Sequence, residues 1–174
     1  MAVLLLTSCT SEDSMPSPDT TQDMAAKRAE LQARPSIEDT DQRYLALEAA
    51  VKQALTERFG ARWQSGSERG SSGCRSHPGV GGQEHSSPTF TFEPALSDAD
   101  WPEAQRIVTT IGHEHGFADP ETVVDRPDDH VIVGHDDYGG SYRLGTARRT
   151  TFSTRTGCHL PQEHLHPDTQ DQPN

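Results

Sequence analysis

The sequence predicts an α+β fold in which two helices pack on one face of a mainly antiparallel sheet, with one disulfide. The first observation is that two segments repeat apolar residues at the spacing of a helix face. The second is that several short strand-like segments lie between turn-forming residues, and one of them, residues 89–92, alternates strictly. In chain order the signals run helix, strand, strand, helix and then several strands. This order is typical of an antiparallel sheet with its helices on one side.

Residues 36–59 carry the clearest helix signal. Ser36, with an acid three residues later at Asp39, resembles an N-terminal capping sequence. Gly60 is suited to end the helix, because glycine readily adopts the left-handed conformation found at helix C-termini. The apolar face of this helix is predicted to contain Tyr44, Leu47, Val51, Ala54 or Leu55, and Arg58 or Phe59.

A second helix is predicted to begin at Asp100, as N-cap, and to end at Gly116, with Pro102 in its first turn. Its apolar face is predicted to contain Trp101, Ala104, Ile107 or Val108, and Ile111. Residues 19–33 also contain helix-forming side chains, but few apolar anchors. We expect at most a frayed helix there, which Pro35 ends.

Strand signals are short. Residues 89–92 alternate strictly, and residues 136–140 form a turn cluster between two later strands. Residues 66–87 are rich in Gly and Ser and are predicted to be a loop. The predicted strands are residues 61–65, 89–92, 122–125, 130–134, 141–145 and about 149–154.

The 174 residues suit one domain, and the hydrophobic fraction of 31% is low. The deficit lies at the two ends, where polar residues and proline cannot bury enough apolar surface to offset chain entropy. We therefore predict a tether over residues 9–34, largely disordered or a frayed helix. The domain is predicted over residues 35–161, and a polar disordered tail over residues 162–174.

The N-terminus suggests export and lipid anchoring. A short apolar run leads to Leu6-Thr7-Ser8-Cys9, which resembles a bacterial lipobox, and no span of about twenty apolar residues exists to cross a bilayer. We predict that residues 1–8 are a truncated lipoprotein signal and that Cys9 is acylated. That anchor would hold the domain on the extracytoplasmic side of the cell membrane. The basic region of a secretory signal is missing, so we expect the natural start to lie upstream. The alternative is an ordinary apolar N-terminus in which Cys9 has no role.

Cys74 and Cys158 remain after Cys9, and two such cysteines in an exported chain favour a disulfide. Each follows a glycine, which suits a tight bend at a strand end. The chain-entropy treatment gives roughly 4–5 kcal/mol for closing a loop of roughly 85 residues. The alternative is a Cys74 nucleophile beside His77. A second lone cysteine in an oxidising compartment argues against it, because a catalytic thiol must escape oxidation.

The net charge of −12 argues against nucleic acid as a partner, since phosphate binding relies on Lys and Arg. It argues equally against adhesion to an anionic lipid surface through the charges of the domain. A local exception is the run Arg143, Arg148, Arg149 and Arg155. These arginines are interpreted as solvated strand faces or, alternatively, as a small anion-binding patch.

The histidines and acids do not match a known catalytic or metal motif. His113 and His115 point in different directions on a helix, and His159, His164 and His166, beside Glu163, are interpreted as part of the polar tail. The acids at 128–129 and 136–137, next to His130 and His135, are interpreted as turn residues rather than general bases. We therefore predict no catalytic, metal or cofactor site.

The order and spacing of several short motifs resembles the LppA-like lipoproteins of actinobacteria, chiefly mycobacteria, over about residues 25–161. Besides the lipobox, these motifs are Arg34-Pro35-Ser36-Ile37-Glu38-Asp39, Trp63, Ser71-Ser72-Gly73-Cys74, Trp101-Pro102, Tyr142-Arg143-Leu144-Gly145-Thr146 and Thr156-Gly157-Cys158. The chain departs from the family in its shortened signal and in the histidine-bearing Gly-rich loop at 77–85. The resemblance implies a lipid-anchored cell-envelope protein without an established enzymatic role.

Two functions are therefore expected. The first is a non-enzymatic lipoprotein that contacts an unidentified envelope partner or presents itself at the surface. The alternative is an envelope binding module for a small anionic or lipid ligand, which uses the arginine-bearing strands and a pocket beside Trp63 or Trp101.

Overall fold

The computed structural model of the chain describes residues 21–165. The predicted signal 1–8, the predicted anchor Cys9 and His166 lie outside the described residues. The helices are α1 (Thr21–Gln32), α2 (Ile37–Phe59), α3 (Trp101–Glu114) and the single turn α4 (Gln162–Leu165). The strands are β1 (Arg62–Ser65), β2 (Gly70–Gly73), β3 (Gln83–Ser86), β4 (Phe90–Glu93), β5 (Glu121–Arg126), β6 (Asp129–His135), β7 (Ser141–Thr146) and β8 (Thr150–Arg155).

The strands form one antiparallel sheet. Its main path runs in the order β1-β4-β8-β7-β6-β5, and the β2-β3 hairpin joins through β3 to β8. The main core lies between the sheet and the helices α2 and α3. It includes Tyr44, Leu47, Val51, Leu55, Phe92, Trp101, Val108, Ile132, Tyr142, Leu144 and Phe152. The predicted fold class is therefore confirmed.

Helix α2 has the ends that its sequence predicts. The Ser36 hydroxyl accepts the Asp39 backbone N–H at 3.0 Å, and this bond satisfies one of the free donors at the helix start. Gly60 ends the helix with a φ of 67°. The buried face extends further than the predicted one, because it also contains Ile37, Thr40 and Glu48.

Helix α3 begins at the predicted position, with Asp100 as N-cap and Pro102 in its first turn. Asp100 makes no side-chain cap bond. Instead, the Ser97 hydroxyl accepts the Asp100 backbone N–H at 3.2 Å and donates to the Asp100 carboxylate at 2.6 Å. Asp100 thus occupies the predicted N-cap position, but Ser97 supplies the side-chain bond, because the turn that leads into the helix starts three residues earlier.

Residues 66–87 are not all loop, as the sequence predicted, because they contain β2 and β3. Gly70–Gly73 has no apolar residue, and the residues of Gln83–Ser86 are all half-buried, so neither strand shows alternation. They form because they pair with each other, and because Ser86 pairs with Arg155 of β8. Tertiary pairing, rather than local sequence, therefore determines these two strands.

A second, smaller core surrounds the disulfide. It contains Leu31, Cys74, Val80, Cys158 and Leu160. Leu31 belongs to α1, which lies in the segment that the sequence interpreted as tether or frayed helix. Its side chain is completely buried. The Arg34 guanidinium donates to the Cys158 carbonyl at 3.0 Å and ties the end of α1 to the same cluster.

His159 also lies in this region, and the prediction that it belongs to a polar tail was wrong. Its ring is fully buried, and its Nδ1 is 2.9 Å from the Pro35 carbonyl and 3.3 Å from the Thr40 hydroxyl. Burial lowers the pKa of His159, so the ring is held neutral. Within residues 21–165, none of the helices is both long and apolar enough to span a bilayer.

An arginine-lined groove as the candidate functional site

The candidate site lies on the face of the sheet opposite α2 and α3. Side chains alternate along β7, so Tyr142, Leu144 and Thr146 point into the core. Arg143 and Gly145 therefore point to the outer face. Arg148 and Arg149 line the same groove as Arg143.

Gly145 forms the floor of a depression on that face. It lies directly between Val131 of β6 and Thr151 of β8 in the strand register. A Cβ at Gly145 would stand 3.2 Å from Val131 Cγ2 and 3.6 Å from the Thr151 hydroxyl. The missing side chain therefore lets Val131 pack closely against Gly145, so that the floor at this point is backbone rather than side chain.

Arginine side chains surround this floor. Arg143 comes from β7, and Arg148 and Arg149 come from the turn between β7 and β8. The Ala147 N–H donates to the Arg149 carbonyl at 3.2 Å and closes this turn. The groove has a volume of about 580 Å³. That volume is in the range of small-molecule binding sites, and the groove is open to solvent along one side.

The charge of the groove is largely uncompensated. Within residues 21–165, neither Arg143 nor Arg148 forms an ion pair. Arg149 has only a long contact, 3.9 Å from its Nε to Glu93, between two exposed side chains. Such surface pairs contribute little. Asp129, the acid in the groove lining, is bound by Arg126 at 2.9 Å.

Arg155 is not part of the groove. Its guanidinium pairs with Glu84, and the two residues line a separate, smaller cleft of about 220 Å³ beside the β2-β3 hairpin. Three of the four arginines singled out from the sequence thus come together. The two tryptophans do not line the groove, since Trp63 packs edge-on against Phe92 and Trp101 is buried.

Cys74 and Cys158 form a disulfide, with an S–S distance of 2.08 Å and a Cα–Cα distance of 5.7 Å. The sulfur of Cys74 is therefore bonded to Cys158, which excludes the alternative that Cys74 is a nucleophile. His77, its proposed base, lies 3.2 Å from a Glu30 carboxylate oxygen. Gly82 lies beneath the bridge, where a Cβ would stand 2.7 Å from the Cys158 sulfur.

The paired acids and histidines next to β6 have structural partners. His130 lies between two carboxylates, with Nδ1 2.8 Å from Asp125 and Nε2 3.0 Å from Asp98. Burial lowers the pKa of His130, but the hydrogen bonds to Asp98 and Asp125 outweigh this effect and raise the pKa above its ordinary value. Among residues 21–165, no cluster of three or more acid, His or Cys side chains is arranged to hold a metal ion.

Asp136 anchors the turn between β6 and β7. One carboxylate oxygen accepts the backbone N–H groups of Tyr138 at 3.0 Å and Gly140 at 2.7 Å. The other oxygen accepts the Arg43 guanidinium at 2.6 Å and the Tyr44 hydroxyl at 2.9 Å. All these bonds hold the turn against α2, so Asp136 has a structural role here.

A further buried polar group was missed in the sequence. Glu48 of α2 is almost fully buried, where it accepts the Arg69 guanidinium at 2.8 Å and the Thr154 hydroxyl at 2.6 Å. An acid on the predicted apolar face of α2 was the signal available, because a charge at such a position requires a partner. The sequence alone does not indicate that Arg69 is this partner.

A family model described as "LppA: Lipoprotein confined to pathogenic Mycobacterium" matches residues 13–162. The chain belongs to the LppA family. The match includes both cysteines of the disulfide and all three arginines of the groove. No curated protein matches the sequence.

Two solved structures share the fold. The lipoprotein LppA of Mycobacterium tuberculosis aligns with a TM-score of 0.67 at 14% identity, over 88% of this chain and 94% of that chain. A DUF4853 family protein of Actinomyces odontolyticus aligns with a TM-score of 0.59 at 18% identity, over 81% of this chain and 78% of that chain. At these identities the likeness concerns the fold. The LppA-family chain is therefore a lipoprotein with this α+β architecture.

Proposed function

We propose that this LppA-family protein is a non-enzymatic binding module, anchored through Cys9 to the extracytoplasmic side of the cell membrane, that holds an anionic ligand in the arginine groove. One observation carries the choice of ligand. Arg143 and Arg148 line the groove over Gly145, and neither of them pairs with a carboxylate among the described residues. This observation favours the binding module over a general interaction surface.

The contrast with the rest of the molecule strengthens the argument. The chain has a net charge of −12, yet one groove concentrates three arginines. A strongly acidic protein repels anionic polymers and surfaces, whereas a local cationic groove still attracts one small anion that fits inside it. The ligand is therefore a discrete molecule rather than nucleic acid or a charged membrane surface.

The groove lacks the features of a catalytic centre. The histidine with a raised pKa, His130, points to the core side of the sheet. The one acid in the groove lining, Asp129, is bound by Arg126, and the other side chains of the lining are arginine, threonine, alanine and valine. Arginine stays protonated and binds anions without taking part in proton transfer. Binding, rather than chemistry, is the function that these residues support.

The anion proposal is tested by calorimetric titration of the full chain with inorganic phosphate. Arg143→Gln combined with Arg148→Gln is expected to weaken binding at least tenfold. Arg75→Gln is the control for the loss of charge, because Arg75 is exposed and far along the chain from the groove. If the double variant binds phosphate as tightly as the natural chain, the groove is not the binding site.

The anchor is tested separately by labelling the expressing cell with a fatty-acid analogue. We expect the natural chain to carry label and to fractionate with membranes, and Cys9→Ala to do neither. The other two cysteines provide an internal control, since both are in the disulfide. Unlabelled natural protein in the soluble fraction would exclude the anchor.

A further inference from the structure

The groove floor continues into an apolar strip, and this extension bears on the identity of the ligand in the proposed function. Val131, beside Gly145, lies opposite Val124 of the edge strand β5 in the register. Val133 is two residues further along β6 and shares the outer face with Val131. The side chains Val124, Val131 and Val133 form what we call the valine strip.

The strip reaches the edge of the sheet. β5 contains a bulge between Thr122 and Val124, and the extra residue there is Val123. Val123 is 49% exposed, the highest value among the exposed large hydrophobic residues of the described chain. Val131 itself is only 7% exposed, whereas Val124 and Val133 are half-buried, so the accessible part of the strip lies at these two residues. Helices α2 and α3 lie on the opposite face and do not cover it. Apolar surface next to a charged groove is typical of a site for a ligand with both characters.

The charges around the valine strip determine the orientation in which the ligand binds. Arg143, Arg148 and Arg149 lie at the β7-β8 side. At the β5 side the charges are paired, since Glu121 is 3.6 Å from His135 and Arg126 binds Asp129 at 2.9 Å. An anionic group is therefore attracted to the unpaired arginines rather than to the β5 edge, where the valines offer contact to the apolar part of a ligand.

We propose that the ligand is a phosphate monoester with a single apolar chain. The phosphate lies over Gly145, where the guanidinium groups of Arg143 and Arg148 match its oxygens in the paired geometry that arginine favours. The chain runs across Val131 and Val124 toward the edge of β5. A groove of about 580 Å³ that is open on one side holds the headgroup and one chain.

The test is a titration series with methyl, butyl and octyl phosphate below their micelle-forming concentrations, on the full chain carrying Cys9→Ser. Full burial of a methylene corresponds to about fourfold in affinity. Because the strip is open on one side, we expect the affinity to rise about twofold to threefold for each methylene that contacts it, which is less than the fourfold of full burial. The affinity is expected to stop rising once the chain passes β5.

Two variants separate the headgroup from the chain. Val124→Thr keeps the shape of a half-buried strand residue, and we expect it to weaken octyl phosphate severalfold without changing methyl phosphate. Arg143→Gln is expected to weaken both ligands. Leu45→Gln is the matched control, since it removes another exposed hydrophobic residue, on α2, and should change neither affinity.

The outcomes distinguish this inference from the function on which it rests. The proposal of an apolar chain is wrong if methyl and octyl phosphate bind equally tightly, or if Val124→Thr leaves the affinity for octyl phosphate unchanged. Either result would leave anion binding in the groove intact. If decanoate binds as tightly as octyl phosphate, the proposal of a phosphate headgroup is wrong. If none of the phosphates binds, both the amphiphile and the proposed function are wrong.

Discussion

The ring of His130 stacks on the indole of Trp101, with centroids 5.2 Å apart and planes inclined by 15°. Both ring nitrogens face carboxylates, one from Asp125 on β5 and one from Asp98 in the segment before α3. Only the doubly protonated imidazolium can donate to both acids. Its charge then also lies over an aromatic face, which is a favourable place for a cation. His130 thus connects the β5-β6 hairpin to the start of α3.

We predict that this contact makes stability depend on pH. The hydrogen bond to His130 lowers the pKa of Asp98, and the two acids raise the pKa of His130, so the folded chain holds the proton more tightly than the unfolded chain. The contribution is fully present below the unfolded pKa of about 6.5 and is lost as the pH rises through the folded value. His130→Gln is therefore expected to lower Tm more at pH 6 than at pH 9.

The control is His113→Gln. His113 lies 3.0 Å from Asp119, but both side chains are largely exposed, so this pair contributes little. The Tm of the His113→Gln variant is expected to equal that of the natural chain at both pH values. A difference in Tm between His130→Gln and the natural chain that stays constant from pH 6 to pH 9 would contradict the charged contact.

The disulfide is predicted to account for a large part of the stability. Cys74 and Cys158 are separated by 84 positions, and a loop of that length corresponds to about 4.5 kcal/mol in the chain-entropy treatment. That energy is close to the lower end of the whole stability of a small domain. We expect Cys74→Ala with Cys158→Ala to unfold at much lower urea concentration, measured by circular dichroism. An unchanged midpoint would show that the bridge constrains little.

The parts of the fold that were predicted correctly have local signals. Ser36 and Gly60 mark the ends of α2, because capping and the left-handed conformation depend on the residue itself. Strand β4 was identified by its own strict alternation, and β6 and β7 were placed on either side of the turn cluster at 136–140. In contrast, β2 and β3 have no apolar pattern, and they form only through their partners. The order of the strands likewise depends on long-range pairing, which local sequence does not specify.

The candidate site was predictable only in part. The sequence identified the four arginines, but the turn at 147–149 is what brings Arg148 and Arg149 beside Arg143. Arg155 is separated from them because Ser86 pairs with it and Glu84 binds its guanidinium. The depression depends on Gly145 having Val131 and Thr151 as neighbours, and this register was not available from the sequence.

Gly140→Ala is predicted to be strongly destabilising. A Cβ at Gly140 would stand 1.9 Å from the Tyr44 hydroxyl and 2.8 Å from the Gly157 backbone nitrogen, so the turn would have to move away from α2. Overpacking of this kind typically costs 1–3 kcal/mol. We expect a loss of about 2–3 kcal/mol in the free energy of unfolding, measured with urea. Gly66→Ala, with open space around its Cβ, is the control and should change stability by less than about 0.5 kcal/mol.

Asp136→Asn is predicted to be destabilising. The carboxylate is completely buried, and it accepts four hydrogen bonds, from Arg43, Tyr44 and the backbone N–H groups of Tyr138 and Gly140. An asparagine directs its NH₂ group at donors and leaves Arg43 without its counter-charge. Because Arg43 is partly exposed, we expect a loss of about 2–3 kcal/mol in the free energy of unfolding, near the cost of unsatisfied buried groups.

A double-mutant cycle with Arg43→Gln separates the ion pair from the backbone bonds. Arg43→Gln removes the charge contact but leaves the Tyr44 hydroxyl and the turn amides bound to Asp136. If the ion pair matters, Asp136→Asn costs less in the Arg43→Gln background than in the natural chain, because its partner is already missing. Strictly additive losses would show that Asp136 acts through the turn alone, and that the guanidinium of Arg43 is held by solvent rather than by this carboxylate.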